Sequence, residues 1–90
     1  MLVGVLHQIN DPQAFASRGE ALEAPPPGLR GRHFYPSTDG RAATCLWEGE
    51  SVDAVRDLID GVLGDSSENS YFEVDVERAL GLPEDERATA

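Results

Sequence analysis

The run of apolar, mostly branched positions from Leu2 to Ile9 predicts a first strand, whose two-residue period sets Val3, Val5, His7 and Ile9 on one side and Leu2, Gly4, Leu6 and Gln8 on the other. Both sides are largely apolar, so this strand is expected to be covered on both faces. Asn10-Asp11-Pro12 ends it and opens a helix, with Asp11 as the cap and Pro12 at the first helical position, where a missing N–H costs nothing. Phe15, Gly19 and Leu22 recur at helical spacing until Ala24-Pro25-Pro26-Pro27-Gly28 stops the helix and forms a stiff connector. Residues 32–37 and 42–48 are strand-like runs around Thr38-Asp39-Gly40-Arg41, and an Asp-Gly pair in that setting marks a hairpin. Pro36 has no N–H for a ladder, which puts the second strand at a sheet edge.

Ser51 caps a second helix over 52–63, Asp53 suits its positive end, and Val52, Val55, Ile59 and Val62 form an apolar stripe beside Leu58 and Leu63. Gly64 supplies a left-handed stop. Asp65-Ser66-Ser67-Glu68-Asn69 reads as a polar loop before a last strand over 70–76, in which Phe72, Val74 and Val76 alternate with Tyr71, Glu73 and Asp75. The order strand, helix, strand, strand, helix, strand predicts an α+β, ferredoxin-like βαββαβ domain over residues 1–82. Its four-stranded antiparallel sheet carries both helices on one face, and residues 83–90 form an acidic C-terminal tail.

That architecture leaves the other sheet face bare, which predicts a homodimer built by packing two such faces together. Size points the same way, because a domain near 90 residues buries only about 60% of its unfolded surface and gains from a partner. Cys45 is the only cysteine, so no internal disulfide takes that role. No apolar run reaches the roughly 20 residues needed to cross a bilayer. The first residues also lack the basic flank and cleavage site of a signal peptide, so a cytoplasmic setting is expected. The formal charge of −10 and the absence of lysine argue against a nucleic-acid partner, whose phosphates call for clustered Lys and Arg.

Cys45-Leu46-Trp47-Glu48, followed after Gly49-Glu50 by Ser51-Val52-Asp53-Ala54-Val55, resembles the strand-to-helix signature of small bacterial proteins in the dimeric α/β-barrel superfamily. His7, the Asp39-Gly40-Arg41 hairpin and Tyr71-Phe72-Glu73-Val74 extend the resemblance over most of residues 1–82. It implies a homodimer of ferredoxin-like subunits. The families it most resembles are of unknown function, and one similar group binds nickel. More distant members are cofactor-independent monooxygenases, haem-degrading enzymes, chlorite dismutase-like proteins and muconolactone isomerase-like proteins, so the fold implies no single chemistry. No catalytic motif carries over residue by residue. Some haem-degrading members surround their substrate with an asparagine, a tryptophan and a histidine, but here Asn69 is expected in a loop and no helix carries an axial histidine.

His7, His33, Cys45, Trp47, Tyr71 and Glu73 are the strand residues able to line a cleft between sheet and helices. Which of them share a face depends on the hairpin. A two-residue turn sets Phe34 opposite Cys45 and Arg32 opposite Trp47, while a three-residue turn with Gly40 as the bulge sets His33 opposite Cys45. The fit of Gly40 to a left-handed position favours the second. His7, His33 and Glu73 have donor types suited to a divalent metal such as nickel, without the spacing of a ligand motif, and no other cofactor is implied. Cys45 has no base beside it in sequence and reads as a small buried residue. Three functions stay open: a homodimeric small-ligand-binding protein; a cofactor-independent monooxygenase or isomerase in which His7 or Glu73 moves a proton and Trp47 holds an aromatic or polyketide-like substrate; and a divalent-metal binder.

Overall fold

The computed structural model describes residues 1–82, so the expected acidic tail at 83–90 lies outside the described residues. The elements run β1 (Leu2–Ile9), α1 (Pro12–Gly19), β2 (Arg30–Pro36), β3 (Ala42–Glu48), α2 (Val52–Leu63) and β4 (Ser67–Glu73). A 3₁₀ turn, Glu20–Glu23, extends α1, and a second, Gly64–Ser66, leads from α2 into β4. The sheet order is β2-β3-β1-β4 with every neighbouring pair antiparallel, the ferredoxin-like arrangement. β2 lies at the edge, as Pro36 requires. Among the described residues no helix is long and apolar enough to cross a membrane.

The core forms on one face of the sheet. Val3, Val5 and Ile9 of β1 and Ala43 and Trp47 of β3 pack against Phe15 of α1 and against Val55, Ile59 and Leu63 of α2. α2 holds its register because Ser51 Oγ accepts the Ala54 N–H at 3.0 Å and because Val55, Ile59 and Leu63 repeat every four residues. Gly64, at φ +55°, ends it. α1 is shorter than the periodicity predicts. Asp11 caps it through the Ala14 N–H, but Phe15 is its one buried side chain, and past Gly19 the chain tightens into the 3₁₀ turn.

Two expectations need correction. Phe34, and not His33, lies opposite Cys45, and Pro36 lies opposite Ala43. The loop closes through Gly40 N–H to Ser37 C=O (3.1 Å), while the Asp39 carboxylate accepts Ser37 Oγ–H (2.7 Å) and Arg41 N–H (3.0 Å). These side-chain bonds hold a four-residue loop in place of the three-residue turn. Further along, a bulge between Gly31 and His33 brings Gly31, in place of Arg32, opposite Trp47. The indole lies on that glycine, where an added Cβ would sit 3.3 Å from Trp47 Cζ2. β4 also starts earlier than expected, because Ser67 pairs with Ile9 and Asn69 with His7, so the polar run 67–69 is strand and not loop. It ends before Val74, where the Asp75 carboxylate accepts the Glu77 N–H and turns the chain.

The outer face of the sheet is uneven. Leu2 is buried at one end, while Leu6 and Phe72 stand about half exposed, at 50% and 49%. The Phe72 ring lies over Gly4 and occupies the space a Cβ there would need.

Ile59 is fully buried beneath the sheet. Ile59→Ala is expected to lower the unfolding free energy by about 2–5 kcal/mol, read as a shift of the urea midpoint with an unchanged slope.

Candidate functional site

The short α1 and the bulged edge strand leave a gap in the helical layer. A cavity of about 450 Å³ lies there, between α1 with its 3₁₀ turn and the helix-facing side of β1, β3 and β2. Phe15, Leu22, Phe34 and Trp47 give it apolar walls, and His7 and Cys45 border it.

His7 is 5% exposed, a polar ring in the row that otherwise holds Val3, Val5 and Ile9. Register puts it opposite Asn69 on β4 and opposite Ala43 on β3, one pair from Cys45 on the same face. Its Nδ1 lies 2.6 Å from Asn69 Oδ1, and its Nε2 lies 3.0 Å from Cys45 Sγ. The Asn69 amide is oriented from elsewhere: its Nδ2 donates to Asp60 Oδ1 on α2 (2.9 Å), and its Oδ1 also accepts the Ser67 hydroxyl (2.9 Å). An amide oxygen facing the ring makes Nδ1 the protonated nitrogen. Nε2 then presents its lone pair to the thiol, and Cys45 S–H donates to it. Asp60 Oδ1 also accepts the Tyr71 hydroxyl at 2.5 Å, and the Arg56 guanidinium sits over the Tyr71 ring, 5.3 Å from its centre. The outcome is a polar chain from thiol to imidazole to amide to carboxylate. Phe15 meets the His7 ring edge-on at 5.3 Å between centres and shields it.

Burial lowers the His7 pKa from its ordinary 6.5, against the Asn69 hydrogen bond and the Asp60 charge, which favour the cation. Burial pushes the Cys45 thiol up to about 12, against a hydrogen bond with the Trp47 side chain that favours the thiolate. Near neutral pH the resting pair is therefore a neutral thiol on a neutral imidazole. Tyr71 is raised by burial and then by its bond to Asp60 and that carboxylate's charge.

Of the six strand residues singled out in the sequence, His7, Cys45 and Trp47 come together at the cavity. His33 meets it only at the bulge; it pairs with Leu46, and its ring stacks on Tyr35. Tyr71 faces Asp60 and Arg56 of α2, and Glu73 pairs with Val3 toward the end of β4, both away from the cavity. The metal set His7, His33 and Glu73 does not converge, and among the described residues no three His, Cys, Asp or Glu side chains group to hold an ion. Cys45 does have a base beside it, supplied from 38 positions away. Asp60 is not singled out in the sequence, and Asn69 is set aside there as a loop residue. Extending the Tyr71 and Glu73 alternation back to Asn69 would have placed the amide on the His7 face.

No family model, curated protein or solved structure matches this chain.

The His7 and Cys45 pKa shifts act on stability at opposite ends of the pH range. With the folded His7 value below 6.5, the unfolded chain takes the proton first, so this contribution is complete above about pH 6.5 and declines as pH falls toward the folded value. The folded Cys45 keeps its proton where the unfolded thiol, with its ordinary 9.0, gives it up, so its contribution is complete below that value and is lost as pH rises toward about 12. Urea midpoints are expected to fall from about pH 7 to about pH 5.5, and again above about pH 9.5. His7→Gln is expected to flatten the first decline, and Cys45→Ala to reduce the second, which the raised Tyr71 hydroxyl shares.

Proposed function

We propose that this chain is a homodimeric, cytoplasmic protein of the dimeric α/β-barrel type that binds a small apolar, aromatic-sized ligand between its sheet and α1. The observation that carries this reading is the cavity: about 450 Å³, walled by Phe15, Leu22, Phe34 and Trp47, with His7 and Cys45 at its border and Glu20, Glu23, Arg32 and His33 also along its lining. Binding pockets for small molecules run from about 300 to 1,000 Å³ and combine apolar walls with a few convergent polar groups. Trp47 offers an indole for stacking, and His7 and Cys45 offer orienting polar atoms. Of the two bases an oxygenase or isomerase would draw on, only His7 borders this cavity; Glu73 does not.

The dimer rests on the outer sheet face, where Leu6, Tyr35 and Phe72 are exposed and the occupant is a second copy of the same face. Leu6→Glu puts a charge in the centre of that contact without touching the helix-facing core. Sedimentation equilibrium is expected to give twice 9.7 kDa for the native chain and 9.7 kDa for the variant. A native mass of 9.7 kDa at micromolar concentration overturns the dimer.

Trp47 is the sole tryptophan and lines the cavity, so its fluorescence reports occupancy. Anilinonaphthalene sulfonate is expected to quench it saturably, and Leu22→Arg is expected to weaken that quench by about tenfold, equivalent to about 1.4 kcal/mol. An unsaturable quench, or one equal in the variant, contradicts the ligand site.

A further inference from the structure

A buried cysteine that only fills space makes no specific demand on its neighbours. Cys45 differs on three counts: it borders a cavity, its sulfur lies 3.0 Å from His7 Nε2, and that ring is held through Nδ1 by an amide which a carboxylate orients in turn. These are the three roles of nucleophilic catalysis, a nucleophile, its base and the group that orients the base. Each comes from a different strand, and Asp60 comes from α2.

We propose that Cys45 is a catalytic nucleophile, with His7 as its general base and Asn69 as the positioning residue, that takes an acyl group from an apolar ester or thioester held in the cavity and passes it to water. This rests on the reading of the cavity as a ligand site. As Sγ attacks the carbonyl carbon, the thiol proton moves to Nε2. The imidazolium so formed is held at Nδ1 by Asn69 Oδ1, with the Asp60 carboxylate behind it. Collapse of the tetrahedral intermediate breaks the bond to the leaving oxygen or sulfur, which takes the Nε2 proton and departs as alcohol or thiol. Water then attacks the thioester on Cys45 and gives a proton to Nε2. The carboxylic acid leaves as Sγ recovers that proton, so the sum is ester plus water to acid plus alcohol.

The chemistry selects acyl transfer over oxidation. Peroxide and disulfide reactions draw on a standing population of thiolate, and burial keeps this thiol protonated. There is also no second cysteine to resolve an oxidised sulfur. A neutral pair that passes one proton inward and returns it to a leaving group matches the resting state. The apolar walls fit a hydrocarbon or aryl acyl group. Asp60 from α2 acts on the pair and holds Tyr71 of β4, while Arg32 and His33 from β2 and Glu20 and Glu23 from the 3₁₀ turn line the cavity that the pair borders.

The full chain is mixed with para-nitrophenyl butyrate, following nitrophenol release and the intact mass. A burst of one equivalent per chain is expected, with a butyryl group on Cys45, at a pH 7 rate about tenfold or more above that of free N-acetylcysteine. A thiol with a raised pKa and no base would be slower than the free thiol. Cys45→Ala is expected to abolish the burst, and His7→Gln to slow acylation by about 10²-fold. Asn69→Leu is expected to slow it and to move the midpoint of the pH–rate profile, leaving probe quenching of Trp47 unchanged; a purely structural asparagine would leave the midpoint in place. If His7→Gln loses its fold by circular dichroism, Cys45→Ala and Asn69→Leu carry the test. Saturable Trp47 quenching without acylation, or a burst that survives Cys45→Ala, overturns the nucleophile and leaves the ligand site standing. Loss of saturable quenching overturns the ligand site itself.

Discussion

An imidazole ring in the middle of a central strand, with helices over it, has two nitrogens that must each find a partner. Leaving one unsatisfied at such depth costs about 1–3 kcal/mol, a large fraction of what a small domain has. The solution here runs across three of the four strands. Nδ1 is met by Asn69 on one neighbouring strand and Nε2 by Cys45 on the other. Asn69 then needs a partner for its own amide hydrogens and finds Asp60, which also takes the Tyr71 hydroxyl. Among the described residues no buried side-chain nitrogen or oxygen lacks a hydrogen-bond partner.

The apolar core makes that polar chain rigid. Val3 and Val5 precede His7 on the same face, and Val55, Ile59 and Leu63 press down from α2, so the ring has little room to leave its position. Toward the opposite edge the packing thins. α1 stops at Gly19, the bulge replaces Arg32 by Gly31 beneath Trp47, and the uncovered strip becomes a cavity with the thiol at its border. The reactive end of the hydrogen-bonded chain thus faces the open space, and its charged end faces α2.

Much of the architecture was legible in the sequence. β1 is a run of branched apolar residues closed by Asn10-Asp11-Pro12, α2 has a serine cap and a continuous apolar stripe, and Pro36 marks an edge strand. The hairpin register was not legible, because Asp39-Gly40 suits two turns and the decision falls to the Ser37 and Asp39 side chains within the loop. The start of β4 was hidden for a different reason. Residues 67–69 are polar, and they are extended because Ser67 and Asn69 bond to each other and Asn69 to His7 and Asp60, partners remote in sequence. The pairing of Cys45 with His7 depends on the same long-range register, and no local pattern announces it. Histidine in an apolar alternation was the one visible sign that this strand carried more than packing.

Asn69 and Asp60 together fix His7 with its proton on Nδ1 and its Nε2 lone pair on the thiol. Long-range proton–nitrogen correlation spectra of the ring in uniformly labelled protein at neutral pH read this directly. A single His7 ring with a pyrrole-type, protonated Nδ1 and a pyridine-type Nε2 is expected. An Nε2-protonated ring, or an imidazolium, would contradict it.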